Sequence, residues 1–99
     1  MNFEWDSAKN LENIRKHKVS FEQAKIALED PYRMSFYDET HSLNEDRYIV
    51  LGNAEGRILF VSIIWINGDT IRIISARRAN RNELEAYHEN CSLFFGKRT

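Results

Sequence analysis

Ninety-nine residues, 42% of them hydrophobic and 29% charged with a formal net charge of −1, describe a chain able to bury one core. Surface-to-volume scaling at this length permits a single domain, residues 1–99, and 12% aromatic residues exclude a disordered chain. A net charge so near zero also excludes a generic nucleic-acid coat protein, whose surface is basic overall.

The longest apolar run, 58–66, is broken by Ser62 and too short to span a bilayer, and the N-terminus lacks a basic-then-apolar signal. The expected location is the cytoplasm, with no membrane partner. Cys91 is the only cysteine, so it has no second thiol with which to form a bridge or share a zinc ion; it reads as a small helix residue.

In chain order, Phe3-Glu4-Trp5 alternates like a short edge strand, and Asp6 or Ser7 offers an N-cap. Ala8, Leu11 and Ile14 recur at helical spacing, with a stop near His17 and Lys18. Ser20 and Gln23 have the spacing of a capping box, Val19 and Ala24 that of a hydrophobic staple, and Phe21, Ala24 and Leu28 continue a second helix that Pro31 ends. The two helices form a hairpin or corner on one sheet face. From Met34 the period changes to that of strands: Met34, Phe36 and Tyr37, then an acidic loop over 38–46, then 48–51. Asn53-Ala54-Glu55-Gly56 and Asn67-Gly68 are hairpin signals on either side of 58–66, which is therefore a central strand. Its side chains are apolar on both alternations, Phe60 and Ile64 against Leu59, Val61, Ile63 and Trp65, so both faces need cover. Asn80 and Glu83 open a last helix with Leu84, Tyr87 and Cys91 inward; the tail Phe94-Phe95-Gly96-Lys97-Arg98-Thr99 has no clear period. The expectation is an α+β fold: a short N-terminal strand, two helices, an antiparallel sheet of about four strands and a C-terminal helix.

The strong catalytic signatures are missing: no Gly-rich phosphate loop, HExxH, CxxC or nucleophile elbow occurs. His17, His41 and His88 lack ligand spacing, so no metal or other cofactor is expected; they read as a helix-end residue, a solvated loop residue and an exposed helix residue. The informative stretch is 71–81, a strand running into a helix start with four arginines and no acid. Acidic residues concentrate instead in 29–46, so charge is segregated along the chain. A helix N-terminus disfavours cations, and planar guanidinium groups beside its unpaired N–H groups suit a phosphate diester. The structural alternative pairs Arg81 with Glu85 and sets Arg77 or Arg78 against the acidic segment.

Phe3-Glu4-Trp5-Asp6, then Lys9, Asn13 and Lys16-His17 leading into Val19-Ser20-Phe21-Glu22-Gln23-Ala24, and finally Gly68-Asp69-Thr70-Ile71-Arg72-Ile73-Ile74-Ser75-Ala76-Arg77-Arg78-Ala79, resemble the BrnT toxins of type II toxin–antitoxin systems in order and spacing. The resemblance implies a RelE-like ribonuclease fold and a bacterial cytoplasmic toxin that inhibits translation and arrests growth by cutting RNA. It also implies a DNA-binding BrnA-like antitoxin, operator DNA bound only through the toxin–antitoxin complex, and an assembly of two toxins and two antitoxins.

RNA can be cut without metal when its own 2′-hydroxyl attacks the adjacent phosphate, provided cations meet the charge developing on phosphorus. On that mechanism Arg77, Arg72 and Asp69 are the candidate catalytic residues, and Arg78, Arg81 and Trp65 the candidate RNA contacts, Trp65 by stacking on a base. Ile64-Trp65-Ile66 departs from the polar or charged residue that family members often carry there. That departure keeps open a non-catalytic module that binds the antitoxin as a co-repressor. A metal-dependent hydrolase fits the residue spacing least well.

Overall fold

In the computed structural model, which describes the backbone of residues 1–96 and the side chains through Cys91, three helices flank one five-stranded sheet. The strands are β1 (Asn2–Glu4), β2 (Met34–Tyr37), β3 (Arg47–Ala54), β4 (Arg57–Asn67) and β5 (Thr70–Arg78); the helices are α1 (Ser7–His17), α2 (Phe21–Leu28) and α3 (Arg81–Gly96). Strands β2 to β5 form the expected antiparallel meander. The short N-terminal strand adds a fifth member by pairing in parallel with β5, giving the order β1-β5-β4-β3-β2 with β4 central. Helix α3 carries the chain through Gly96, into the aperiodic tail; residues 97–99 and the side chains from Ser92 onward lie outside the described residues.

Local chemistry sets the element ends. The Asp6 carboxylate accepts from the Ala8 and Lys9 N–H groups, and Lys18, at φ 58°, turns α1 off in a left-handed cap. Ser20 and Gln23 form a complete capping box on α2, preceded by the buried Val19. The β3–β4 hairpin turns at Glu55 and Gly56, both at positive φ, and the Asn67 side chain closes the β4–β5 turn by accepting from the Asp69 and Thr70 N–H groups.

Helices α1 and α2 cover one sheet face, where Phe21, Ala24 and Ala27 pack on Val50, Leu59, Val61, Ile63, Ile73 and Ala76. Gly52 permits the close approach of α2: a Cβ there would stand 2.1 Å from the Ala27 carbonyl oxygen. Asn13 of α1 does for β5 what a neighbouring strand would do. Its amide accepts from the Ala76 N–H at 3.1 Å and donates to the Ala76 carbonyl at 2.8 Å, beyond the point where β1 stops pairing. On the opposite face α3 covers one end only, through Tyr87 and Leu84 against Leu51, Ile58 and Phe60. Tyr87 donates a short hydrogen bond to the buried Asp30, which also accepts from the Tyr32 and Asn53 N–H groups; burial and that carboxylate push the phenol well above its ordinary range. Among the described residues, the rest of this face beyond α3 is flanked by Asp38 and His41. No helix among the described residues is long and apolar enough to cross a membrane.

Candidate active site

Strict strand alternation would set Arg72 and Arg77, five residues apart, on opposite faces of the sheet. A bulge prevents it. Ser62 of β4 opposes Ser75, but Ile63 opposes Ile73, so Ile74 is an extra residue in β5. Ile73 and Ala76 both enter the core beneath α1 and α2, and Arg72, Ser75 and Arg77 come to the open face. β3 contributes a third arginine: Arg47 opposes Ile64, and Ile64 opposes Arg72. Between the row Arg47–Ile64–Arg72 and the row Leu51–Phe60–Arg77 lies Ile49–Ser62–Ser75. By register, then, the rows that carry Arg47, Arg72 and Arg77 flank the row that carries the two serines.

Arg77 is the most constrained of these cations. Its guanidinium lies over the Phe60 ring, 3.9 Å from the centroid, and donates from Nη1 and Nη2 to the two oxygens of Glu83, each at 2.9 Å. Glu83 is the N3 residue of α3. One of its oxygens also accepts from the Asn80 N–H at 2.7 Å while the Asn80 side chain accepts from the Glu83 N–H, which completes the expected capping box. Burial pushes the Glu83 carboxyl up, but the Arg77 fork and the Asn80 N–H outweigh it and hold the group below its ordinary range.

The structure supplies the negative partners missing from 71–81. Arg72 donates to Glu4 of the neighbouring β1 at 2.6 and 2.8 Å, and Arg81, at the exposed start of α3, approaches Glu85 at 3.6 Å as helical spacing allows. Arg78 ends β5, exposed, beside Ala79 and Arg57. Two candidates stand apart from this group. Asp69 is in the β4–β5 turn, roughly 25 Å along extended chain from Arg77, and its carbonyl accepts from Asn2. Trp65, 42% exposed, opposes Ile71 on the other sheet face, in a hollow of about 620 Å³ shared with Phe3, Val50 and Ile63. That hollow is the larger one and is also lined by Glu29, Arg33 and Ser35; on the open face Arg47, Ser62 and Ser75 share a smaller cleft, whose lining does not include Arg72 or Arg77.

The smaller cleft, about 280 Å³, is lined by Asp38, His41, Arg47, Ile49, Phe60, Ser62, Ile74 and Ser75. Asp38, His41 and Arg47 escape a reading by sequence pattern. The segregation of charge along the chain does not persist in space, because the acidic segment folds against the open face that carries the arginines. A 3-10 turn at Glu39–His41 places the His41 ring with Nδ1 2.9 Å from Asp38 Oδ2, and the residue is exposed, as expected of a solvated loop residue. The one local signal available was the three-residue spacing from Asp38 to His41, typical of a side chain capping a turn. Among the described residues no three His, Cys, Asp or Glu side chains gather as a metal site would need.

The family model for the ribonuclease toxin BrnT of type II toxin–antitoxin systems matches residues 5–83. The fold is similar to the crystal structure of the Brucella abortus ribonuclease toxin BrnT, with a TM-score of 0.65 and 25% identity over 82% of this chain and 99% of that one. Among curated proteins no sequence matches.

Proposed function

Given that this chain belongs to the BrnT family of ribonuclease toxins of type II toxin–antitoxin systems, we propose that it cuts RNA without a metal ion, on the open sheet face beside α3. The observation that carries this reading is the bulge at Ile74, which gathers Arg72 and Arg77 on the same face as Arg47, around Ser62 and Ser75. An RNA backbone laid there meets cations without needing a net basic protein. Attack of a 2′-hydroxyl on the adjacent phosphate builds charge on the non-bridging oxygens, and Arg77, pre-aimed by Phe60 and Glu83, supplies the stabilisation. Arg72 and Arg47 hold backbone phosphate, with Arg78 and Arg81 at the helix start as outlying contacts. Asp69 and Trp65 have no part in this arrangement, one remote at the hairpin tip and the other on the opposite face.

Family membership gives the chain an antitoxin as partner. The finer reading is a cytoplasmic toxin whose cleavage of RNA stops translation. A DNA-binding BrnA-like antitoxin neutralises it in a complex of two toxins and two antitoxins that sits on operator DNA. The test is cleavage of RNA by the purified protein in chelator: activity expected, with loss in Arg77→Ala together with loss of growth arrest. Unaltered toxicity of that variant overturns the site.

A second reading, a non-catalytic co-repressor that binds antitoxin, draws on two observations. Arg47, Arg72, Arg77 and Arg81 already hold carboxylates, while Trp65 and Ile66 expose apolar surface at the far end of β4. Producing the chain alone in cells separates the two. Growth arrest relieved by the neighbouring antitoxin gene supports the nuclease, and harmless expression supports the co-repressor.

A further inference from the structure

Self-cleavage of an RNA strand at its 2′-hydroxyl needs a proton acceptor, and arginine, always charged, cannot be one. In the cleft on the open face the basic groups are the Asp38 carboxylate and the His41 ring, and the carboxylate is already taken up by the ring. Its Nδ1 lies 2.9 and 3.2 Å from the two oxygens of Asp38, and its backbone N–H donates to the same carboxylate at 3.3 Å. The Asp38 side chain is only 13% exposed, whereas that of His41 is 64% exposed, so a sheltered acceptor grips one side of a ring whose other side meets solvent at the cleft mouth. A carboxylate only accepts, so in the neutral ring the proton resides on Nδ1 and the lone pair on Nε2.

The loop that carries this pair is tied to the arginine-bearing strand. The Asp38 N–H donates to the Arg47 carbonyl at 2.9 Å; Ser42 Oγ donates to the Asp38 carbonyl at 2.5 Å and accepts from the Arg47 N–H at 3.0 Å. His41 is thereby fixed relative to Arg47, whose Nε is buried with no hydrogen-bond partner in this structure. The Nη2 of the same guanidinium donates to Glu45 at 3.2 Å.

We propose that His41 is the general base of the RNA cleavage described above, with Asp38 as its positioning residue; the assignment rests on that reading of the site. Nε2 takes the proton of the 2′-hydroxyl as that oxygen bonds to phosphorus. The bond from phosphorus to the 5′-oxygen breaks with its electron pair, and the departing oxygen takes a proton from solvent water. The products are a 2′,3′-cyclic phosphate and a 5′-hydroxyl, and His41 leaves the step as imidazolium.

The experiment uses the whole protein and a pool of random single-stranded RNA oligonucleotides in chelator. His41→Ala should lower kcat by about 100-fold or more, in the range of a general base, with KM changed less than about threefold. Free imidazole should restore part of that rate. His41→Asn, which keeps a donor for Asp38 but has no base, should behave like His41→Ala, and Asp38→Asn should lower kcat by less while leaving KM in place. A His41→Ala protein that cleaves at the wild-type rate, or loses cleavage with no return in imidazole, overturns the assignment. If Arg77→Ala is inactive in that same experiment, the proposed function stands without His41. A wild-type protein that leaves the RNA intact overturns both.

Discussion

The guanidinium of Arg77 and the carboxylate of Glu83 meet through two parallel hydrogen bonds of 2.9 Å, six residues apart across the junction of β5 and α3. The fork settles why cations crowd a helix start: the acid that the helix dipole favours is present, and it also aims the arginine. Shape should therefore matter as much as charge. Arg77→Lys keeps the charge but can neither fork nor lie flat on Phe60, so cleavage should fall at least about tenfold while RNA binding at low salt changes little. Single-turnover cleavage beside a filter-binding titration checks it; equal rates would mean that only the charge counts.

Acid should weaken the same junction. The Glu83 carboxyl is held below its ordinary value of 4.5, so its stabilising contribution is fully present above that value and is lost as pH falls through the depressed one. Glu83→Gln should cost about 1 kcal/mol of stability at neutral pH, the pair being partly exposed to solvent, and less near pH 3. Urea midpoints of the two proteins at both pH values give the comparison. A gap that widens in acid would reverse the sign.

At Gly52 the fold should tolerate no side chain. An added Cβ meets the Ala27 carbonyl oxygen at 2.1 Å, backbone that cannot swing aside, so Gly52→Ala forces α2 off the sheet and should cost about 3 kcal/mol. Gly68→Ala is the control, because a Cβ there meets nothing within 4 Å. Thermal unfolding distinguishes them: a clear drop in Tm for the first and almost none for the second.

What could be read in advance was local. The Ser20–Gln23 and Asn80–Glu83 boxes each need only a three-residue spacing, and the apolar alternation of β4 follows from cover on both faces. What could not be read was non-local or silent in composition. Ile73-Ile74-Ser75 carries no mark of a bulge, yet one extra residue there decides whether Arg72 shares a face with Arg77. The parallel pairing of β1 with β5 joins Glu4 to Arg72 across 68 residues, which no short window reports. His41 reads as a solvated loop residue, and exposed it is; its pairing with Asp38 and the Ser42 clasp that ties Asp38 to Arg47 are what a short window does not report.

The pairing of Arg72 with Glu4 yields a prediction about salt. Both side chains are about half exposed, so their attraction is worth little, and RNA phosphate can compete for the guanidinium. If Arg72 holds one backbone phosphate, Arg72→Ala should weaken binding evenly across RNA sequences and make the plot of log K against log salt shallower by about 0.7, the single-strand value for one released counterion. Glu4→Gln should act oppositely on affinity, because it removes both the competitor and a like charge facing the RNA, while leaving the slope close to that of the unaltered protein. Fluorescence anisotropy of a labelled oligonucleotide across a salt series measures both quantities. Equal slopes for Arg72→Ala and wild type would remove Arg72 from the phosphate contacts and confine the binding surface to Arg47, Arg77 and the α3 end of the face.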